Sequence, residues 1–341
     1  MRRLFQPVLA VLLGLSVGLA ITWIAGENPW HVFAVLCHSA FGSRYDFGMT
    51  LFYSTPLIFT GLSVAVAFHA GLFNIGAEGQ LTAGALAAAA VGALWPGCPR
   101  GLAPAFAGLA AMCVGAFWGA IPGWLRARRG SHEVINTIML NFVAAGLASY
   151  VALYLLKSPD SQNPETRSIG AGYIIPQFGL FGRAPVSLAL PLAMLAAAIV
   201  WIFLWRTTFG FELRAVGQSE AAARAAGLNV AKIRIIAFSV AGGLAGLVGV
   251  AEVLGNSGRF KVGFSPEYGF MGIAVALLGR NQPLGVLAAA LLFGALHKGT
   301  GDLDMETEHV THELSLVLQA LIILSVSADG LWAWMKRRDA I

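Results

Sequence analysis

Charge is what this 341-residue chain has least of: 11% of its residues are Asp, Glu, Lys or Arg, against 57% that are apolar. A soluble domain of this length carries about twice that charge, so an all-α polytopic membrane protein is expected rather than a globular enzyme. Lysine is scarce, occurring only at 157, 232, 261, 298 and 336, and none ends a G-x-x-x-x-G-K-[ST] run. That absence excludes ATP binding through a P-loop. There is no H-E-x-x-H and no G-x-S-x-G nucleophile motif, so no enzyme is expected. Cysteine is limited to Cys37, Cys98 and Cys113, without C-x-x-C or metal spacing. All three read as small packing residues, with Cys37 and Cys98 placed on one side and so open to a disulfide. The formal net charge of +5 falls in short loops that set topology, which speaks for a lipid bilayer and against nucleic acid.

Long apolar runs are abundant. About ten membrane segments are expected, at 7–25, 50–68, 81–95, 102–125, 134–156, 185–205, 235–255, 268–278, 284–296 and 314–328. Residues 1–25 imitate a signal peptide but have too long an apolar run and no clear cleavage site, so the first span is read as retained. A cytoplasmic N-terminus puts Arg2, Arg3, the Arg126–Arg129 cluster, Arg206, the basic residues of 214–234, Arg280 and the tail Lys336, Arg337 and Arg338 inside. That is 14 of the 22 basic residues, in keeping with the positive-inside rule. Both termini are then cytoplasmic. Residues 28–46 read as outer loop, and 157–184, rich in Pro, Gly and polar residues, as the longest extracytoplasmic loop. Spacings such as Gly14/Gly18, Gly115/Gly119/Gly123 and Gly242/Gly246 suit close helix crossings. The third, eighth and ninth spans are short or broken, as where a transport pathway interrupts helices.

Two polar stretches stand out. In 209–234, Ser219 can cap a short Ala-rich helix over 219–226, with Glu220 in its first turn and Gly227 ending it in the left-handed conformation. Such a rod is about 12 Å long and cannot cross a bilayer. It is either a docking element for a partner or an ordinary solvated loop. The second stretch, 69–80, sets Phe73, Asn74, Glu78 and Gln80 inside an apolar region. A charge at the bilayer centre costs about 2.5–3.5 kcal/mol, so Glu78 should face a cavity, a partner or the interface. The stretch either lines a pathway or gate, or is a cytoplasmic turn in which Asn74 caps the next helix. Asn136, Asn141 and Gln319 read first as interhelical hydrogen-bonding residues. Phe73 and Phe270 could stack a base along a path, although 21 Phe make core packing the simpler role. His309, His312 and Glu313 lie in an acidic outer loop read as solvated rather than metal-binding.

Four stretches together carry a resemblance: AFHAGLFNIGAEGQLTAGALAA (67–88), GSHEVINTIMLNFVA (130–144), AVGQSEAAARAAGLNV (215–230) and YGFMGIAVALLGRNQPLGVLAAALLFG (268–294). In order and over most of the chain, they resemble the permease subunits of ABC importers in the branched-chain amino acid/ribose/nucleoside group, closest to the nucleoside type. The resemblance implies a single permease domain over 1–341 with the ribose/branched-chain-amino-acid-type fold, in the bacterial cytoplasmic (inner) membrane. It implies a second permease chain, homologous or identical, two ATPase domains that bind ATP and Mg, an extracytoplasmic substrate-binding protein and a small-molecule substrate; no cofactor is expected in the chain itself. By the same resemblance, residues 206–234 form a cytoplasmic coupling loop in which Gly217, Ser219, Glu220, Ala221, Ala222, Arg224 and Gly227 dock on the ATPase. Phe73, Asn74, Glu78, Gln80, Asn141 and Phe270 are candidate pathway residues. Gly227 falls one position later than in the maltose-type E-A-A loop, and the I-x-L-P that follows there is missing, which argues for the ribose-like architecture. Nucleosides are the first substrate expectation, with riboflavin-like heterocycles or simple sugars as alternatives. An ion-coupled secondary transporter is the alternative of another class, with Glu78 and Glu252 as its candidate acids.

Overall fold

The structure, a computed structural model, describes residues 2–159, 161–311 and 313–327. His312 and the basic tail Lys336, Arg337 and Arg338 lie outside the described residues, as does Ala328. The chain is helical, with isolated bridges such as Lys157 to Thr166 and no strand among the described residues. In order come α1 (Arg2–Ile24), α2 (Pro29–Phe41), α3 (Arg44–His69), α4 (Ala77–Leu94), α5 (Ala103–Arg129), α6 (Glu133–Tyr150), α7 (Ala189–Arg206) and α8 (Thr208–Gln218). Then follow α9 (Glu220–Ala225), α10 (Val230–Gly246) with a π-helical continuation over Val250–Ser257, α11 (Tyr268–Leu278), α12 (Pro283–Gly299), α13 (Leu303–Glu306) and α14 (Leu314–Ser327).

Among the described residues, seven helical runs are long and apolar enough to cross a membrane: 7–24, 44–69, 103–129, 133–155, 189–206, 230–257 and 283–306. They coincide with seven of the ten expected segments. The third begins with Glu78 and Gln80 in its first turn, and α11 and the apolar part of α14 are short. Ten full crossings are therefore not established.

Two stretches read as loop are helical. Within 28–46, Asn28 accepts a hydrogen bond from the Trp30 amide at 3.0 Å and Pro29 opens α2 at its first position. Ser43 then caps α3 through the Asp46 amide at 3.1 Å, so α3 begins six residues before the expected Thr50. Within 209–234, Thr207 accepts from the Gly210 amide at 3.0 Å and starts α8, and Asn229 accepts from the Lys232 amide to start α10. Lys232 and Arg234 consequently ride on a helix rather than in a loop.

α3 sits at the centre, buried over 83% of its most apolar window, whereas α5 and α6 present most of theirs outward. Large apolar side chains such as Phe117 and Phe142 point away from the chain, as lipid-facing residues do. The most extensive helix-to-helix contact joins α5 to α10. A Cβ on Gly119 would stand 3.1 Å from the Gly242 Cα, and one on Gly246 3.2 Å from the Gly115 Cα. Gly14 and Gly18 of α1 likewise admit Ile322 and Leu318 of α14. The three cysteines are free; Cys98 is buried at one end and Cys37 is exposed, so the open disulfide is absent.

Candidate functional site

The stretch around α9 forms a compact polar knob. Ser219 has extended backbone and its Oγ accepts from the Ala222 amide at 3.3 Å, capping α9. Gly227 has φ +80°, and the amides of Gly227 and Leu228 bond the carbonyls of Arg224 and Ala223, each at 3.0 Å. That pairing is a Schellman end, in which Leu228 turns back toward the core while Ala223 is buried. Ala221, Ala222, Arg224 and Gly227 stay exposed. Gly217 lies against the turn after α3, where a Cβ on Gly71 would be 3.2 Å from its Cα.

Glu220 ties this knob to the bundle. Its two carboxylate oxygens accept from Arg224 and Arg234, each at 2.6 Å. Arg224 is two-thirds exposed, but Arg234 on α10 is only 13% exposed, so the second pair is the shielded one. The hydrogen bonds from Arg224, then Arg234, hold the Glu220 carboxyl below the ordinary carboxylate range. Arg126, itself 3.4 Å from Glu133, borders the same cavity of about 330 Å³.

The polar stretch after α3 is folded into the bundle. His69 bonds the Asn281 carbonyl at 2.9 Å, so 69–71, 217 and 281 share one end of the molecule. Beyond it the chain re-enters the interior. Asn74 is fully buried and pairs head-to-tail with Gln80, at 2.9 and 3.1 Å, and also reaches Ser63 and the Gly76 amide. The expected capping of α4 by Asn74 is not observed, because that side chain is spent on Gln80 and on the turn; the residue flanking α4 is Gly76, without a side-chain cap. Asn141 of α6 bridges the same segment, accepting from the Gly79 amide at 2.8 Å and donating to the Ile75 carbonyl at 3.0 Å. Glu78 accepts from the Gly269 amide at 2.7 Å and so caps α11 from a position 191 residues away. Phe73 packs edge-on against Phe68, and Phe270 of α11 is partly exposed. Asn136 bonds Ser131 at the start of its own helix rather than a neighbouring helix, which corrects its interhelical reading. Gln319 is buried on α14. Among the described residues no cluster of three His, Cys, Asp or Glu could hold a metal.

Replacing Asn74 with alanine strands the Gln80 amide and the Gly76 N–H in the interior. We expect a loss of about 1–3 kcal/mol, read as a lower midpoint of thermal unfolding in detergent. An unchanged midpoint would mean that the pair does not hold the buried 74–80 segment.

Comparison with known proteins decides the family. A family model described as the branched-chain amino acid transport system / permease component matches residues 47–327. The chain belongs to this permease family. The permease is 37% identical over 331 residues to the guanosine ABC transporter permease protein NupP of Bacillus subtilis, covering 96% of this chain and 94% of that one. It is 36% identical to the nucleoside ABC transporter permease protein NupB of Lactococcus lactis (96% and 91% covered), and 35% identical to a glucose ABC transporter permease protein of Haloferax volcanii (93% and 85%). The permease is thus a multi-pass transport component. Sequence reading missed two features of it: the Arg234 partner of Glu220 and the capping of α11 by Glu78. Arg234 stands 14 residues from Glu220, beyond any helical spacing rule, and Glu78 meets a backbone amide, which has no sequence signature.

Proposed function

We propose that this permease is one of two non-identical membrane subunits of an ATP-driven nucleoside importer in the bacterial cytoplasmic membrane. The identity to guanosine and nucleoside permeases across nearly the whole chain carries the reading. A second observation supports the pairing: the chain also matches the guanosine ABC transporter permease protein NupQ of Bacillus subtilis, at 30% over 250 residues, alongside NupP. Relatives therefore come in two unequal kinds, as a heteromeric pair requires. Two ATPase domains energise the complex, an extracytoplasmic binding protein delivers substrate, and both termini face the cytoplasm.

In this reading α9 is the coupling element. Its exposed alanine face and Arg224 enter a groove on the ATPase, and the Glu220–Arg234 pair passes the motion to α10. Closure of the ATPase dimer on ATP biases the bundle between its two states through that contact. The glucose permease relative at 35% keeps simple sugars as the second substrate class.

The test is purification of the native complex in detergent, with mass spectrometry of co-purifying chains and uptake of labelled guanosine and glucose by cells expressing the system. A Walker-motif ATPase and a second permease, with guanosine uptake, are expected. A homo-oligomer without an ATPase would sink the importer reading, and uptake of glucose alone would move the substrate to sugars.

A further inference from the structure

Residues 230–257 form one continuous helical run whose outer part, Val250–Ser257, is wound as a π-helix. Such turns are rare and frequently mark functional sites. Glu252, the only charged residue between 235 and 258, lies in this segment and is 7% exposed. Three carboxylates are buried to this degree among the described residues: Glu133, Glu165 and Glu252. Glu133 has Arg126 within 3.4 Å, and Glu165 has Arg259 at 2.7 Å. Glu252 has no cation within ion-pair distance among the described residues, although the charge of Lys261 reaches it. Its Oε2 accepts a long bond from Asn256 Nδ2 at 3.3 Å, and its Oε1 has no hydrogen-bond partner. An unpartnered buried carboxylate oxygen is costly, so Oε1 is open to a further donor.

The surroundings say which donor. Tyr268, at the start of α11, sets its hydroxyl beside Glu252, and Tyr53 of α3 is close enough to sense its charge. The Tyr53 ring packs edge-on against the His297 ring of α12, with centroids 4.5 Å apart. Three segments therefore meet at one acceptor beside two phenol side chains, and His297 of α12 backs the second of them. A carboxyl with no cation within ion-pair distance disfavours an anionic solute. A neutral solute with O–H or N–H donors and a flat apolar face satisfies both the oxygen and the rings.

We propose that Glu252, with Tyr53, Tyr268 and Asn256, forms a transit site that accepts a hydrogen bond from a neutral nucleoside as it crosses the permease. The proposal rests on the nucleoside reading above. The donor is either a ribose 2′- or 3′-hydroxyl or the 2-amino group of the base. Because the site stands on the same helical run as Arg234, a shift of α10 imposed through Glu220 also moves this acceptor.

The test compares uptake of guanosine, inosine and 2′,3′-dideoxyguanosine by cells expressing the whole system with wild-type permease or Glu252→Gln. Glu252→Gln replaces one of the two acceptor oxygens with an NH2 donor and lowers guanosine uptake by about tenfold or more. The loss shrinks for dideoxyguanosine if the hydroxyl is the donor, or for inosine if the 2-amino group is. Tyr53→Leu, which leaves the carboxylate in place, lowers uptake as well and covers the case in which Glu252→Gln is not inserted. Equal uptake by variant and wild type, or equal loss of all three solutes, overturns the site while leaving the nucleoside reading intact. A sodium or proton dependence that disappears in Glu252→Gln also overturns it, assigning the carboxylate to an ion. No uptake of any nucleoside by the wild type overturns the substrate reading and the site together.

Discussion

Glu220→Lys is expected to abolish transport while the chain still inserts and its membrane helices still pack. The carboxylate joins two arginines that otherwise repel each other, Arg224 on α9 and Arg234 on α10. A lysine there replaces two attractions with a cluster of like charges around a cavity that Arg126 also borders. α9 is six residues long and too short to hold itself as a helix, so its position depends on Ser219, Gly227 and this pair. Gly227→Pro should act the same way by another route, because proline is fixed near φ −65° and position 227 sits at +80°. Glu220→Gln keeps acceptor geometry without charge and should be milder. The readouts are uptake, and recovery of the ATPase with tagged permease. If Glu220→Lys or Gly227→Pro transports at the normal rate, α9 is not the coupling element. The pH dependence has a defined sign. A carboxyl held below its ordinary value of 4.5 contributes stability above that value and loses it as pH falls through the lowered one. Docking should therefore be insensitive to pH near neutrality and weaken only in strong acid.

How much of this was legible beforehand depended on the range of the interaction involved. Ser219 and Gly227 act on amides three residues away or on their own φ, so the bounds of α9 could be read locally. The bounds of α11 match the expected 268–278 residue for residue, since Gly279 and Pro283 punctuate its end. α2 and α8 were lost because 11–13 residues mixing aromatic, polar and small side chains show neither an apolar span nor a loop composition. The buried polar residues were found as types but not as partners. Nothing in the order of residues says that Asn74 meets Gln80 while Glu78, between them, turns to α11. The π-helical winding at Glu252 has no compositional signal at all, and it is the feature on which the proposed transit site depends.

Gly242→Leu is expected to remove most of the folded protein. The glycines of α5 and α10 face each other so closely that a Cβ at 242 overlaps the Gly115 carbonyl and comes within 3.1 Å of the Gly119 Cα. These obstacles are backbone, which cannot swing aside as a side chain can. The helices must separate instead, and in lipid they lose the packing that holds them together, since hydrocarbon offers no hydrophobic drive to restore it. Separation also disturbs α4, because Gly84 lies against Gly246 and Gly249 against Ala85. A penalty of about 3 kcal/mol follows from overpacking alone. The measurement is the yield and thermal midpoint of detergent-solubilised protein, compared with Gly146→Ala on the outward face of α6. Nothing lies within 4 Å of a Cβ at 146, so that variant should be neutral or gain up to about 1 kcal/mol from helix propensity. Similar stability for the two variants would show that the α5–α10 crossing does not organise the bundle. The result also bears on transport: a rod locked to α5 by backbone contact moves as a unit, so a push at Arg234 reaches the far end of the run instead of being absorbed along it.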